Sequence, residues 1–440
     1  MPEPLRLGDH CTKIGSGATP RGGKDSYLES GPYRLIRSQN IYNSGFSNGG
    51  LVCISEEQAS TLSNVEVLPE DILLNITGDS VARTCQVDSA VLPARVNQHV
   101  AIVRPNPDEI DPRFLRFFLI SPGMQSLMLT YAGAGATRNA LTKSMIENFE
   151  VPRFPIEVQR GIGRTLGALE DKIDCNRRMN ETLEAMARAM FKDWFVDFGP
   201  TKAKMEGRPP YLAPEIWDLF PDRLDDEGKP EGWRMTTLGS LTSKIGSGAT
   251  PRGGKGVYVS EGTNFIRSQN VYDFYFKWDG LVQLSDEDSA QLRNVAVKPD
   301  DVLINITGDS ILRTCVVDPG VLPARVNQHV CIVRAVKGIP ARFLHLWLAQ
   351  QSAKHWLLGN DAGGSRKAVT KGHLESLPII QPSTETLEKF SELSSHFYNK
   401  AIANTMESRI LAQTRDLLLP KLMSGEIRVK GAERAVEDVL

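Results

Sequence analysis

The sequence lacks the features that would assign it to several large classes of protein. Its 51 Lys and Arg residues are balanced by 53 Asp and Glu residues, so no overall positive charge marks it as a nucleic-acid binder. Its six cysteines form no Cys-x-x-Cys pair and no disulfide framework. No apolar run approaches the length of a membrane span, and the start, MPEPLRLGDH, has no signal-peptide pattern. These absences predict a soluble, cytoplasmic protein that does not enter a membrane.

Motifs for metal and nucleotide binding are also missing. The seven histidines do not repeat as a cluster, so no metal site is predicted. The glycine-rich stretch Lys13–Lys24 has some likeness to a phosphate-binding P-loop. However, Ala18 stands where that motif needs its first glycine, and Asp25 stands where it needs Ser or Thr. No cofactor is therefore predicted to bind to this chain.

What the sequence does contain is a tandem duplication. The stretch KIGSGATPRGGK at Lys13–Lys24 recurs letter for letter at Lys244–Lys255. Four further segments recur 230 positions later, and they are Ile36–Asn40, Asn75–Ser80, Arg83–Cys85 and Val91–Val100. Residues 43–60 and 273–290 have diverged extensively, so substitutions have accumulated elsewhere while these segments stayed identical.

Each copy predicts an α+β domain followed by a long helix. Short β-rich runs such as Asp71–Ile76 and Val100–Arg104 precede the helical pattern at Pro112–Ser121. From Glu157 apolar residues follow a spacing of three and four, typical of a coiled-coil seam. The seam residues singled out in the two helices are Leu166, Leu169, Ile173, Asn176, Leu183, Trp194, Phe397, Asn404 and Leu411, and Met406, Ile410 and Leu417 are also expected on the apolar side. Asn176 and Asn404 are equivalent positions, and they either fix the register of the helix pair or are simply exposed.

The predicted fold class is α+β. Two tandem-duplicated α+β domains are separated by two long helices that form an antiparallel, pseudo-two-fold symmetric coiled coil. Glycines at 161, 163 and 167 are expected to weaken the start of the first helix. The predicted segments are a first domain at 1–155, a central helix at 156–199, a proline-rich extended linker at 200–232, a second domain at 233–382, a distal helix at 383–428 and a loosely ordered tail at 429–440.

In this arrangement and in its motifs the chain resembles the specificity (S) subunit of type I restriction–modification systems. Gly17–Pro20 (GATP) lies near the start of the first domain, and Leu68–Ile72 (LPEDI) leads into NITGDS. NQHVAIVR spans Asn97–Arg104, Phe191–Phe198 ends the first helix, and Leu418–Ile427 ends the second. Each match is weak alone, but their order, repeated along nearly the whole chain, makes the resemblance strong.

The resemblance implies a chain that is not an enzyme by itself. It implies two target-recognition domains that read the halves of a bipartite double-stranded DNA site. It also implies helices that dock two adenine-N6 methyltransferase (M) subunits carrying S-adenosylmethionine. A restriction/translocase (R) subunit using ATP and Mg²⁺ is implied for cleavage.

Base readout in the major groove requires side chains such as Arg for guanine and Asn or Gln for adenine. Two clusters in each copy and the Arg-Thr pair after each Thr-Gly-Asp turn supply them. The candidates are Arg37, Ser38, Gln39, Asn40, Arg83, Thr84, Arg95, Asn97, Gln98, His99, Arg267, Ser268, Gln269, Asn270, Arg313, Thr314, Arg325, Asn327, Gln328 and His329. The alternative for each is a loop residue that bonds to nearby backbone.

Phosphate contacts are predicted from cations beside glycine-rich loops. These cations are Lys13, Arg21, Lys24, Arg138, Lys143, Lys244, Arg252, Lys255, Arg366, Lys367 and Lys371. The alternative is that they are solvated surface charges.

Two rival functions stay open from the sequence. One is a stand-alone DNA-modifying enzyme, which the missing Asn-Pro-Pro-Tyr type of methyltransferase motif disfavours. The other is a two-headed protein adaptor. Because the candidate reading segments are identical, we hypothesise that both domains read the same half-site.

Overall fold

The computed structural model describes residues 4–133, 139–251, 253–359 and 368–440, and the chain divides into two compact units. Unit 1 comprises Met1–Asn176 and Met406–Leu440, and unit 2 comprises Arg177–Thr405. Each unit holds one copy of the duplicated sequence and part of each long helix. The division passes through both helices because each α+β domain shares a hydrophobic core with the helix parts of its own unit.

The strands are short, and most strands of the first copy have a counterpart in the second. Those of the first copy are β1 (Leu5–Arg6), β2 (Cys11–Ser16), β3 (Tyr33–Ile36), β4 (Ile41–Tyr42), β5 (Gly45–Phe46), β6 (Val52–Ile54), β7 (Glu66–Val67), β8 (Ile72–Asn75), β9 (Thr84–Gln86), β10 (Ala94–Val96), β11 (Val100–Pro105) and β12 (Glu150–Val151). Those of the second copy are β13 (Arg234–Thr237), β14 (Thr242–Ser247), β15 (Tyr258–Val259), β16 (Thr263–Ile266), β17 (Val282–Leu284), β18 (Val302–Asn305), β19 (Thr314–Val316), β20 (Ala324–Val326), β21 (Val330–Ala335) and β22 (Pro378–Gln381).

The helices comprise short ones within the domains and two of 40 residues each. They are α1 (Glu56–Thr61), α2 (Pro112–Ile120), α3 (Pro122–Gly133), α4 (Lys143–Glu147), α5 (Ile156–Phe195), α6 (Gly199–Met205), α7 (Pro214–Trp217), α8 (Asp286–Gln291), α9 (Ala341–Ala349), α10 (Gln351–Gly359), α11 (Lys371–Ser376), α12 (Thr384–Met423) and α13 (Val429–Glu437). No helix among the described residues is long and apolar enough to span a membrane.

A four-stranded antiparallel sheet, ordered β2-β11-β8-β9, is the middle layer of unit 1. Side chains alternate between the two faces of a strand. In β8, Ile72 and Leu74 therefore pack with the helices, while Leu73 packs with a second sheet ordered β6-β3-β10-β7. Because both faces are covered, β8 is buried along its whole length.

Unit 2 repeats these layers with its own strands. Its middle sheet is ordered β14-β21-β18-β19, and Val302 and Ile304 of β18 pack with the helices. Leu303 packs on the other face, with the sheet ordered β15-β17-β16-β20. The predicted α+β class is confirmed in each unit.

The two long helices run antiparallel within each unit. In unit 1, Glu170 of α5 accepts a bond from Arg415 of α12 at 3.1 Å, while Asn176 bonds to Glu407 at 2.8 Å. In unit 2, Asn404 of α12 donates to Asn180 of α5 at 2.8 Å. Asn176 and Asn404 are both buried, so they lie in the seam and are not exposed.

The other predicted seam residues are placed as follows. Leu166, Leu169 and Leu411 are fully buried in the core of unit 1, and Ile173 packs against its edge. In unit 2, Leu183 is half-buried and Phe397 packs at the edge of the core. Trp194 is buried in an aromatic cluster with Phe220 and Phe390.

The expectation that Met406, Ile410 and Leu417 face the seam is wrong. All three are exposed, by 45%, 52% and 62%. They fall on one face of α12, and the residues that fill the core are instead Leu411, Leu418, Leu419 and Leu422. The helical spacing of apolar residues predicts an apolar face of α12. It does not show which apolar residues pack in the core and which stay exposed.

The three glycines at the start of α5 do not interrupt the helix. The helix is continuous from Ile156. A Cβ atom at Gly163 would lie 2.9 Å from the Asp111 carboxylate, and one at Gly167 would lie 2.4 Å from the Arg113 guanidinium carbon. The missing side chains therefore let the start of α2 approach α5 closely.

Two segments predicted to be loose are packed. Within the linker, α6 and α7 form, and Trp217 and Phe220 are buried, so the linker is not simply extended. The tail forms α13, whose Ala432 and Val436 enter the core of unit 1. A Cβ atom at Gly161 would meet Val429 at 2.9 Å, so a glycine of α5 also makes room for the tail.

A buried ion pair holds each middle sheet. In unit 2, Arg334 of β21 donates to both oxygens of Asp301, at 2.7 and 2.8 Å, and the Asp301 side chain has no exposed surface. The hydrogen bonds to Asp301 raise the pKa of Arg334. Arg104 and Asp71 make the same pair in unit 1.

We predict that D301N lowers the free energy of unfolding of unit 2 by about 3 kcal/mol, because Arg334 loses its anionic partner in a buried site. All six tryptophans lie in unit 2, at 194, 217, 233, 278, 347 and 356, so tryptophan fluorescence during urea denaturation measures this change. The matched control is D300N, the same chemical change at an exposed neighbouring position. Equal effects of the two variants would contradict the prediction.

Candidate nucleic-acid interface

Four of the duplicated segments meet at one end of the middle sheet in each unit. We call this group the loop cluster. In unit 1 it consists of residues 17–20, 37–40, 75–80 and 97–99, and in unit 2 of residues 248–251, 267–270, 305–310 and 327–329. Far apart in sequence, these segments are joined by hydrogen bonds.

Side chains and backbone both make these connections in unit 1. Asn75, at the end of β8, donates its amide to the carbonyl of Ser38 at 2.9 Å. Thr77 and His99 are joined at 2.6 Å, and Gln98 donates to the other ring nitrogen of His99 at 3.0 Å. That nitrogen therefore accepts, which leaves the proton on the nitrogen facing Thr77. The network thus fixes the His99 ring.

Unit 2 repeats the network bond for bond. Asn305 donates to the Ser268 carbonyl at 2.9 Å, and Thr307 and His329 are joined at 2.7 Å. Gln328 and His329 are joined at 3.2 Å. The identity of the duplicated segments therefore corresponds to identical geometry.

A glycine permits the closest approach within each cluster. The amide of Gly17 donates to the Val100 carbonyl at 3.0 Å, and a Cβ atom at this position would lie 1.9 Å from the carbonyl oxygen of Val96. At Gly248 the corresponding distance, to Val326, is 2.0 Å. Only glycine fits where the GATP loop crosses the end of the neighbouring strand.

The predicted base-reading residues differ in accessibility. Gln39, Gln98, Gln269 and Gln328 are exposed. His99, His329, Ser38 and Ser268 are half-buried. These glutamines are exposed although their amides are also bonded within the cluster. Gln39 and Gln269 donate to the carbonyls of Gly50 and Gly280 at 3.2 and 3.3 Å, and Gln98 and Gln328 bond to the imidazole rings.

Several other predicted base-reading residues are committed to their own loops. Asn40 has no exposed surface, and its amide donates to the carbonyls of Ser47 and Gly49 at 2.9 and 3.1 Å. Asn97 accepts the amide of His99 at 3.1 Å. Buried residues with the same kind of side-chain bonding are Thr84, Asn270 and Asn327. Thr314 is also buried, and its backbone amide donates to Asp273 at 3.1 Å. Their hydrogen bonds shape the loops, so we do not assign them to base contacts.

The arginines of the prediction are also partly engaged. Arg95 is buried and donates to the carbonyls of Ala59 and Ala94, and Arg325 bonds to Ser289 and Ala324 in the same way. Burial is the main cause that lowers the pKa of Arg325. These two arginines are likewise structural.

The remaining arginines stack on tyrosines. Arg37 donates to the Gly50 carbonyl at 2.5 Å and lies 5.2 Å from the ring of Tyr27, and Arg267 has the equivalent partners Gly280 and Tyr258. Arg83 lies 4.9 Å from the Tyr42 ring, and Arg313 lies 4.5 Å from the Tyr272 ring. Stacking orients these guanidinium groups at the border of the cluster.

The predicted phosphate-binding cations fall into three groups. Arg21 and Lys24 are exposed, on a turn where Gly22 and Gly23 have positive φ. Lys13 and Lys244 instead donate to the carbonyls of Asn64 and Asn294, and burial lowers the pKa of Lys13. Lys143 and Lys371 are exposed and lie 3.6 and 3.3 Å from Glu147 and Glu375. Arg138, Arg252, Arg366, Lys367 and the side chain of Lys255 lie outside the described residues.

Sequence reasoning missed two threonines of the cluster. Thr19 donates to the side chain of exposed Gln98, and Thr77 holds His99. Both lie in segments that the duplication keeps identical, which is the signal that identifies them. Within the described part of the chain, no group of three or more His, Cys, Asp or Glu side chains forms a metal site.

Comparisons with known proteins agree with this architecture. Residues 3–185 match the family model of the type I restriction modification DNA specificity domain. The chain is 26% identical to the type I restriction enzyme HindI specificity subunit of Haemophilus influenzae, over 88% of this chain and 95% of that protein. It is 24% identical to the EcoBI specificity subunit of Escherichia coli, over 82% of this chain and 74% of that protein.

The fold also matches a solved structure. The crystal structure of an S subunit of a type I restriction–modification system from M. genitalium aligns with a TM-score of 0.54 and 14% identity, and 95% of each chain is covered. The resemblance inferred from the motifs is confirmed by these similarities, since the family model and both relatives are type I specificity proteins. The solved structure supports the same fold.

We predict that G248A destabilises unit 2 by about 3 kcal/mol, because the added methyl group overlaps a backbone carbonyl that cannot yield. G246A is the control, since a Cβ atom there meets only the end of the Lys244 side chain, at 3.7 Å. Tryptophan fluorescence in urea compares the two variants. A G248A chain as stable as G246A would show that the loop is not held as described.

Proposed function

We propose that this chain is a specificity subunit of a type I restriction–modification system, non-catalytic by itself, and that its two loop clusters read the two halves of one bipartite DNA site. The similarity to such subunits supports this proposal. The observation that carries this proposal is the convergence of the identical segments. Segments that are scattered in sequence form one hydrogen-bonded surface in each unit, and they form the same surface twice.

The exposed glutamines are the proposed base-reading residues. A glutamine amide forms two hydrogen bonds with adenine in the major groove, through N6 and N7. Gln39 and Gln98 lie on the exposed side of the first cluster, and Gln269 and Gln328 on that of the second. Arg83 and Arg313, held by tyrosines, are proposed to extend this surface toward guanine or phosphate.

Phosphate binding is proposed for the turn that follows GATP. Arg21 and Lys24 are exposed on either side of Gly22 and Gly23. Contacts to the phosphate backbone supply affinity and orientation, whereas base contacts supply specificity. Such local cations suffice although the chain has a formal net charge of −2.

The two halves of the target are proposed to have the same sequence. Identical residues in identical loop geometry select the same bases. Because the helices run antiparallel within each unit, we expect an inverted repeat split by a spacer, with an adenine for methylation in each half.

The partners are proposed from the resemblance to type I specificity subunits. Two M subunits would bring S-adenosylmethionine and carry out N6-adenine methylation, and an R subunit would bring ATP and Mg²⁺ for cleavage. The exposed apolar residues Met406, Ile410 and Leu417 on α12 are suited to docking a partner protein. The chain itself is proposed to act in the cytoplasm, where the DNA target lies.

Methylation sequencing of DNA from cells that express the chain with its M subunit tests this function. We predict a palindromic bipartite motif that carries N6-methyladenine in both halves. An asymmetric motif would show that the diverged residues 43–60 and 273–290 select the bases. No methylation from a stable complex would favour the adaptor function instead.

A further inference from the structure

The duplication gives two versions of one interface, between an α+β domain and its supporting helix. In unit 1 the domain contributes α2 and the support is α5. In unit 2 the domain contributes α9 and the support is α12. Equivalent residues are 229 positions apart in the short helices and 228 positions apart in the long ones. The two versions can therefore be compared residue by residue.

In unit 1 the interface is ionic. Arg116 of α2 is only 4% exposed, and its guanidinium group pairs with the carboxylate of Glu170. Arg415 of α12 binds the other oxygen of Glu170 at 3.1 Å. On the next position of α5, Asp171 pairs with Arg113. Two arginines of the domain thus face two carboxylates of the helix.

In unit 2 the pair that takes the place of Arg116 and Glu170 is neutral. His345 stands where unit 1 has Arg116, and Tyr398 stands where it has Glu170. The two side chains are hydrogen-bonded at 2.7 Å, and the second ring nitrogen of His345 donates to the Thr314 carbonyl at 3.0 Å. His345 has no exposed surface, and burial lowers its pKa to about 4, so the ring is uncharged near neutral pH.

The contact next to this pair also has fewer charges in unit 2. Arg342 keeps the place of Arg113, but its partners are the neutral groups of Ser395 at 3.0 Å and Asn399 at 3.5 Å. Asn399 is the equivalent of Asp171. Compared with unit 1, the helix in unit 2 has two fewer negative charges at this interface and the domain has one fewer positive charge. The residues on the two sides of the interface therefore differ together.

We propose that positions 116 and 170, with their equivalents 345 and 398, form a polar key that assigns each recognition domain to its own helix segment. A first domain placed on the distal helix would set Arg116 against Tyr398 and bury an unpaired charge. A second domain placed on the central helix would set His345 against Glu170. Burying one partner of an ion pair without the other is strongly destabilising. The key thus restricts which domain can be exchanged between the two positions.

A double-mutant cycle in the full-length chain tests the key in unit 2. We expect H345R alone and Y398E alone each to lower the urea midpoint of the tryptophan fluorescence transition by about 1 M. The double variant H345R/Y398E recreates the ionic pair of unit 1. It is expected to recover more than half of the combined loss. Recovery of less than half would overturn the proposal.

A control separates a specific pair from a general charge effect. H345R/N399D adds a carboxylate at the neighbouring position, where it faces Arg342 rather than position 345. This variant is expected to stay as unstable as H345R. Rescue by N399D equal to that by Y398E would overturn the key.

The reciprocal cycle in unit 1 uses R116H, E170Y and R116H/E170Y, followed by circular dichroism during heating. These variants remove a charge instead of adding one to a buried site. The key can therefore still be tested if H345R does not fold. The double variant is expected to melt above the lower of the two single variants. A double variant that melts below both would contradict the key. Neither cycle involves DNA, so its outcome is independent of the function proposed above.

Discussion

The middle sheet of each unit, buried on both faces, is the constraint on which the loop cluster depends. Asn75 and Asn305 lie at the end of a central strand of their sheets. Each side chain donates to a carbonyl of a neighbouring loop, that of Ser38 or Ser268. The Asp71–Arg104 and Asp301–Arg334 pairs tie neighbouring strands of that sheet together. A loop that selects DNA bases needs a rigid support, because a displacement of about 1 Å is enough to break a hydrogen bond.

Sequence alone showed the duplication and predicted the α+β class, and it identified the identical segments as candidates for the site. That these segments come together is seen only in the structure. The sequence did not separate Gln39 from Asn40. Both have amide side chains in the same tetrad, and both donate to backbone carbonyls. Gln39 is exposed and bonds to Gly50, whereas Asn40 is buried and bonds to Ser47 and Gly49. For the same reason Arg95 was predicted to reach a base although it is buried against Ala59. Chemical type indicates what a residue can bind, but accessibility depends on long-range packing.

The long helices show a second limit of the same kind. Heptad spacing found the helices and their asparagines, but it placed Met406, Ile410 and Leu417 inside. The packed stripe is set by the domain that lies on each helix, and that contact differs between the copies at Arg116–Glu170 and His345–Tyr398. The segments of the loop cluster have stayed the same, while the helix contacts that support them differ in pairs. The loop cluster and its support have thus followed separate constraints within one duplicated chain.

The proposal that exposed amides of the loop cluster read bases is best tested at Gln98. The measurement is the methylation motif of cells that express the chain with the proposed M subunit, compared between the wild type, Q98A and Q98A/Q328A. We expect that Q98A relaxes one base position in one half of the motif, and that the double variant relaxes the same position in both halves. An unchanged motif at wild-type methylation levels in both variants would contradict it.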